Sequence, residues 1–167
     1  MEPRKLTPQR LAGNAKRAFT LIELLIVMTI IAIMIGAATY SWNNARIKGR
    51  DGKRKTDLKA VQQALEMYFQ TNGKYPDSDG GKIKCNLTGL DTTTRDWGQA
   101  FFCNSVYYMQ QLPKDPITTN SYWYDNTSAN SYNLWAAIEN TSDPDLTGLP
   151  TSCGTPPTGR NYCVVNP

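Results

Sequence analysis

The hydrophobic pattern of the chain changes character near residue 40. A continuous apolar run covers residues 19–39, with no charge from Leu24 onward, and its roughly 21 residues are enough to cross a bilayer as one helix. Beyond it, apolar residues recur every three or four positions, a pattern typical of an amphipathic helix; the stripe comprises Leu58, Val61, Ala64, Leu65, Tyr68 and Phe69. The pattern predicts one long helix from Phe19 to about Asn72.

The helix is expected to end at Gly73, which suits a left-handed position, and Pro76 prevents its continuation. Residues 121–124 and 131–139 are rich in aromatic and apolar residues and are predicted to be strands joined by a turn at 125–130. We expect a loop over 77–95, a short helix capped by Asp96 and another from Asn104 or Ser105 to Met109, and an irregular tail over 147–167. The fold class is α+β: a long N-terminal helix packed on a small antiparallel sheet domain.

One acidic residue, Glu23, stands inside the apolar run. An ionisable group within a membrane helix costs about 2.5–3.5 kcal/mol on insertion scales, so its position requires a partner. If the chain were cut between Ala18 and Phe19, the new amino terminus would be an ammonium within about one helical turn of Glu23. A neighbouring copy could present this ammonium to the carboxylate, which predicts a subunit that packs with copies of itself.

The segment Lys16-Arg17-Ala18-Phe19-Thr20-Leu21-Ile22-Glu23 resembles the class III signal of type IV pilins and of the pseudopilins of type II secretion. A second block also resembles this family: the face formed by Ala64, Leu65 and Tyr68, and the stop formed by Gly73, Tyr75 and Pro76. Together the blocks span about the first 76 residues. The family usually has Gly before the cleavage point, whereas this chain has Ala18.

The resemblance implies a pilin-like fold and a structural subunit that is not an enzyme. A membrane peptidase would cleave between Ala18 and Phe19 and N-methylate Phe19, and Glu23 would serve in assembly. The implied partners are further copies in a filament, the prepilin peptidase and N-methyltransferase, and an inner-membrane assembly platform with its ATPase. The single-pass precursor would keep its C-terminal domain outside the cytoplasmic membrane, and the mature subunit would enter an extracellular or periplasmic filament.

The corresponding organisation has four parts: a cleaved leader over 1–18, a transmembrane and assembly helix over 19–40, an amphipathic continuation over 41–73 and a globular domain over 74–167. Two other interpretations of the apolar run stay open. It could be an ordinary secretory signal cleaved near Gly36 and Ala38, although it is longer than the usual centre of such a signal. It could also be a plain anchor for an extracytoplasmic binding module that never polymerises. Neither explains Glu23.

The formal charge of +4 comes from the leader. Its five basic residues and one acid leave 13 residues of each sign in the remaining chain. Residues 46–76 carry eight basic and three acidic residues, and residues 77–167 carry five and nine. The basic stretch over 46–76 favours solvation or contact with anionic lipid over binding of nucleic acid, although a role in DNA uptake stays open. The opposite charges of this stretch and of the acidic domain could also suit head-to-tail stacking of subunits.

The candidate chemistry of the chain is limited. Histidine is absent, and no phosphate loop or nucleophile motif occurs, which argues against an enzyme. The four cysteines follow the apolar run and predict two disulfides, Cys85–Cys103 and Cys153–Cys163, because shorter loops cost less entropy to close. Other pairings and a zinc site remain alternatives, although no Cys-x-x-Cys pair occurs.

A cofactor is not expected, although the resemblance raises the question of calcium, which major pseudopilins bind in a loop near the sheet. Asp115, Asp125 and Asn126 could contribute oxygen ligands. The chain lacks the family's fuller motif for this loop, so the sequence does not favour a calcium site.

Overall fold

The computed structural model describes residues 19–86 and 92–167. Its first element is a single helix, α1 (Leu21–Asn72). Within the described residues this is the one helix that is long and apolar enough to cross a membrane. The chain divides into two compact units after Trp42.

The end of α1 agrees with the sequence. The Gly73 amide donates to the Phe69 carbonyl oxygen at 2.7 Å, and Gly73 has a φ of 70°. A residue without a Cβ takes this left-handed conformation at little cost. The predicted stop at Gly73 is therefore confirmed.

After α1, the described residues (up to 86 and from 92 onward) contain eight short strands in three antiparallel sheets. The first sheet contains β1 (Asp77–Asp79), β2 (Lys82–Lys84) and β3 (Thr94–Arg95), and the second contains β4 (Phe101–Cys103) and β5 (Val106–Met109). The third has β7 (Ser131–Ala136) between β6 (Trp123–Ser128) and β8 (Tyr162–Val165). Two short 3₁₀ helices, Pro144–Leu146 and Thr151–Cys153, lie between β7 and β8. The α+β class predicted from the sequence is confirmed.

Four local predictions are wrong. The loop expected over 77–95 contains β1, β2 and β3, and the tail expected to be irregular contains β8. The turn between β6 and β7 is shorter than predicted, because residues 125–128 belong to β6. Instead of two short helices, residues 101–109 form the β4–β5 hairpin. Asn104 and Ser105 have φ values of 50° and 65°, as in the two-residue turns whose twist matches that of paired strands.

The alternation of side chains in the third sheet divides the core in two. On one face, Tyr132, Leu134 and Ala136 belong to the cluster that also contains the buried stripe of α1. On the other face, Trp135 packs with the disulfide of Cys153 and Cys163. Successive strand residues point to opposite faces, so β7 is buried on both sides by different parts of the chain.

Candidate assembly site

The N-terminal end of α1 is closed by a reciprocal pair of side chains. The Thr20 amide and hydroxyl each donate to Glu23 Oε2 at 3.1 Å, and the Glu23 amide donates to Thr20 Oγ1 at 3.3 Å. This arrangement is a capping box, which satisfies backbone donors that have no partner inside the helix. Sequence reasoning missed this local role of Glu23, although the Thr-x-x-Glu spacing was a visible signal.

The residues that the structure describes leave the apolar surface behind this cap uncovered. The large apolar side chains described between Leu21 and Ile35 are each between 49% and 88% exposed. Soluble monomers rarely leave an apolar patch larger than a few hundred Å² in water. This surface therefore requires lipid or other protein chains to cover it.

Of the two predicted processing residues, the structure describes Phe19. Phe19 precedes α1 and is 87% exposed. Ala18 and the rest of the predicted leader lie outside the described residues. The pairing of Glu23 with a neighbour's Phe19 ammonium stays a prediction, since a single chain does not test it.

All four predicted cysteines are paired in the folded domain. Cys85 is joined to Cys103 with a Cα–Cα distance of 5.8 Å, and Cys153 to Cys163 with one of 6.2 Å. These are the two pairings that loop closure favours, and disulfide-bonded thiols are not available as zinc ligands. The first disulfide ties the end of β2 to β4, and the second ties a 3₁₀ helix to β8.

The domain also contains a buried arginine that sequence reasoning did not single out. Arg54 is 0% exposed and donates through Nε and Nη2 to the two oxygens of Asp115 at 2.7 and 2.8 Å. Its Nη1 atom donates to Asp51 Oδ1 at 2.7 Å and to Glu139 Oε1 at 2.6 Å. Such planar pairs with carboxylates are the strongest hydrogen bonds available to arginine. Arg54 thereby joins α1 to two distant segments of the domain.

Glu139 is held from two sides. Arg50 donates to its two carboxylate oxygens at 2.8 and 2.6 Å, in addition to the bond from Arg54. The hydrogen bond from Arg50, with that from Arg54, lowers the pKa of Glu139 to about 2 despite the opposing effect of burial. Asp51 completes the group by accepting the amides of Glu139 and Asn140 at 3.0 and 2.9 Å.

These contacts change the interpretation of the basic stretch. Arg50, Arg54 and Lys55 form ion pairs inside the domain, so carboxylates of the same chain balance their charge. The exposed cations that remain on this part of α1 are Arg46, Lys48, Lys53 and Lys59. The surface available to lipid, nucleic acid or another subunit is thus less basic than the sequence count suggests.

The oxygen ligands considered for calcium are engaged separately. Asp115 binds Arg54 with both oxygens and also accepts the Ile117 amide at 2.8 Å. Asp125 is exposed and accepts from Ser78 at 3.3 Å, and the Asn126 amide group donates to the Pro76 carbonyl oxygen at 2.6 Å. Among the residues that the structure describes, no group of three His, Cys, Asp or Glu side chains is arranged to hold a metal ion. The described residues therefore give no support to a calcium site formed by these three side chains.

The fold and its apolar, acid-bearing first helix define a pilin-like subunit, and comparison with known proteins agrees. The prokaryotic N-terminal methylation motif matches residues 13–39. The family described as type II secretion system protein G matches residues 43–141, more than half of the chain. The chain belongs to this family of pseudopilins.

Individual relatives are distant but consistent. The chain is 28% identical over 103 residues to a type II secretion system core protein G of Klebsiella michiganensis, covering 62% of this chain and 69% of that protein. It is 29% identical over 106 residues to the core protein G of Vibrio cholerae, covering 64% and 68%. A type IV major pilin of Myxococcus xanthus is 36% identical over 61 residues, covering 36% and 28%. No solved structure gives a significant match.

Proposed function

We propose that this chain is a structural subunit of a type II secretion pseudopilus, made as a membrane precursor and polymerised after cleavage between Ala18 and Phe19. Residues 1–18 are the leader, residues 19–40 anchor the precursor and later form the filament core, residues 41–73 continue the helix, and residues 74–167 form the outer domain. The precursor lies in the cytoplasmic membrane with this domain outside.

The observation that carries the proposal is the exposed apolar surface of α1 with a carboxylate at its start. In the membrane this surface is covered by lipid. In a filament the same surface is covered by the equivalent helices of other copies, so extraction does not bring it into water. Apolar burial is non-directional and therefore holds the helices together without fixing their register.

The Glu23 carboxylate fixes the axial alignment of neighbouring helices, which apolar burial does not determine. Cleavage creates a positive terminus at Phe19, and the family signal implies that this terminus is methylated, which leaves it positive at neutral pH. In a dry bundle of helices a close pair of opposite charges is stabilising only when both charges are satisfied. A neighbour's Phe19 ammonium and Glu23 satisfy each other at one axial position, which selects the stagger between subunits.

The choice of a secretion pseudopilus rests on the family match over the domain and on the relatives named core protein G. A type IV pilus subunit is the second candidate, because of the Myxococcus xanthus pilin match. In either case the subunit needs a prepilin peptidase and an assembly platform with its ATPase. An anchored module that does not polymerise is not favoured.

Processing is tested by mass spectrometry of the mature amino terminus. We expect a chain that begins with methylated Phe19. Replacing Ala18 by Leu, which is too large for a small-residue cleavage position, should leave the leader in place and abolish filaments, whereas Ala18→Gly should be cleaved and should assemble. Uncleaved Ala18→Leu chains have no free amino terminus at Phe19. If they still formed filaments, the proposed pairing of that terminus with Glu23 would be contradicted. A mature terminus near Thr39 would instead indicate ordinary secretion.

A further inference from the structure

The segment after β7 brings two carboxylates onto one lysine of α1. Lys55 Nζ lies 2.7 Å from Asp143 Oδ1 and 2.6 Å from Asp145 Oδ2. The Lys55 and Asp143 side chains are only 22% and 13% exposed. The ring of Tyr162 in β8 covers the ammonium group at 5.6 Å from its centroid. The ammonium is thus held by two segments that are distant from Lys55 in sequence, residues 143–145 and β8.

The carboxylates of this segment also organise its backbone. Asp143 is the cap of the 3₁₀ helix Pro144–Leu146, and its Oδ1 accepts the Asp145 amide at 3.0 Å. Two carboxylates this close together repel each other unless a cation lies between them. In many proteins a hard divalent cation bound by carboxylate oxygens takes this position. Here the position is taken by a side chain of the same protein.

We propose that Lys55 supplies the positive charge that the Asp143–Asp145 segment requires, so that the domain of this chain is stabilised without calcium or another divalent cation. The proposal departs from what the family resemblance raises, and it does not depend on filament assembly. A divalent ion bound to the same two oxygens would lie close to the Lys55 ammonium and be repelled by it. The Lys55 ammonium therefore also prevents a divalent metal ion from binding to these carboxylates.

The charge states fit this role. Burial alone would lower the pKa of Lys55, but its hydrogen bonds to Asp143 and Asp145 raise it above the ordinary value. The hydrogen bond from Lys55, with the Asp145 amide, lowers the pKa of Asp143. Both groups are therefore ionised at neutral pH.

The test is the thermal midpoint, Tm, of the full chain in detergent micelles, measured in EDTA and in millimolar calcium chloride. Wild type should give the same Tm in both. Lys55→Met removes the ammonium and leaves the two carboxylates, so its Tm in EDTA should fall by about 4 °C and should recover at least in part when calcium is added. Terbium luminescence should rise with Lys55→Met and not with wild type.

The matched control is Lys59→Met, which removes an exposed lysine of the same helix and should leave Tm unchanged in both solutions. A wild-type Tm that rises in calcium as much as that of Lys55→Met would overturn the proposal. So would a Lys55→Met protein that is destabilised in EDTA and indifferent to calcium. If Lys55→Met does not fold in EDTA, folding on addition of calcium supports the proposal, and failure in calcium as well contradicts it.

Discussion

The two halves of α1 belong to one continuous helix but satisfy their apolar side chains in different ways. In the second half, Leu58, Val61, Leu65 and Tyr68 are each 0% exposed and belong to the core of the domain. In the first half, the large apolar side chains described from Leu21 to Ile35 are at least 49% exposed. The apolar side chains of the second half are buried by the same chain, whereas those of the first half are left for lipid or other chains to cover.

The difference separates folding from assembly. Substitutions in the second half should act on the stability of the domain, because their partners are present in every chain. Substitutions in the first half should act on the membrane or on neighbouring copies and leave the domain folded. Each half also contains a charged side chain held by hydrogen bonds. In the first half it is Glu23 with its capping contact, and in the second half it is Arg54 with its carboxylates.

The largest expected effect is on assembly. Glu23→Val should abolish filaments or reduce them severely, while the precursor still inserts and the domain keeps its Tm. The two contacts that it loses, the proposed pairing between copies and the cap with Thr20, do not belong to the domain. Filament yield by electron microscopy and precursor level by membrane fractionation measure the two effects. Normal filaments from Glu23→Val would contradict the pairing with Phe19.

A second variant distinguishes charge from capping. Glu23→Gln retains a side chain that can complete a capping box but loses the negative charge, so it too should fail to assemble. Thr20→Val removes the hydroxyl that contacts Glu23 and keeps the charge, so it should retain filaments. If Glu23→Gln assembled and Thr20→Val did not, the role of Glu23 would be to cap the helix, and the charge pairing between copies would be contradicted.

The next effect is on the folded domain. Arg54→Met leaves Asp115 buried without its cation, and removing one partner of a buried ion pair typically costs about 3–5 kcal/mol. Chemical denaturation of the full chain should show this loss in the free energy of unfolding. Lys53→Met changes the adjacent exposed lysine and should stay within about 0.5 kcal/mol of wild type; an equal loss in both variants would contradict the role of Arg54.

The smallest effect concerns acid stability. The pKa of Glu139 is lowered from 4.5 to about 2 in the folded protein, so its contribution is present above pH 4.5 and is lost as the pH falls toward 2. Glu139→Gln should be less stable at pH 7 by about 1 kcal/mol, after allowance for solvent screening. The difference from wild type should narrow between pH 4.5 and 2. A constant difference over that range would show that ionisation of Glu139 is not its cause.

Local signals accounted for the parts of the fold that the sequence predicted. The helical period around Leu58 and Leu65, the Gly73 stop and the aromatic strands around Trp123 and Trp135 are each visible within a few residues. The β4–β5 hairpin was also visible, because aromatic and β-branched residues flank Asn104 and Ser105. It was mistaken for a helix because Asn and Ser also serve as helix caps, and propensity alone does not decide between the two.

Non-local contacts account for what was missed. β8 is short and obtains its hydrogen bonds from β7, about 30 residues earlier in the chain. Arg54 is bound by Asp115 and Glu139, which lie 61 and 85 residues away. In the sequence Arg54 is one of several neighbouring cations, and nothing local marks it as buried. The contact between Thr20 and Glu23 is an exception, because it is local and the Thr-x-x-Glu spacing marks it in the sequence.

The position of Arg54 has a mechanical consequence. Its guanidinium connects the second half of α1 to Asp115, before β6, and to Glu139, after β7, so sliding this half along its axis would separate one cation from two carboxylates at once. A pull on this half of the helix is therefore delivered to distant segments of the domain that residues 43–167 form, and not to the helix alone.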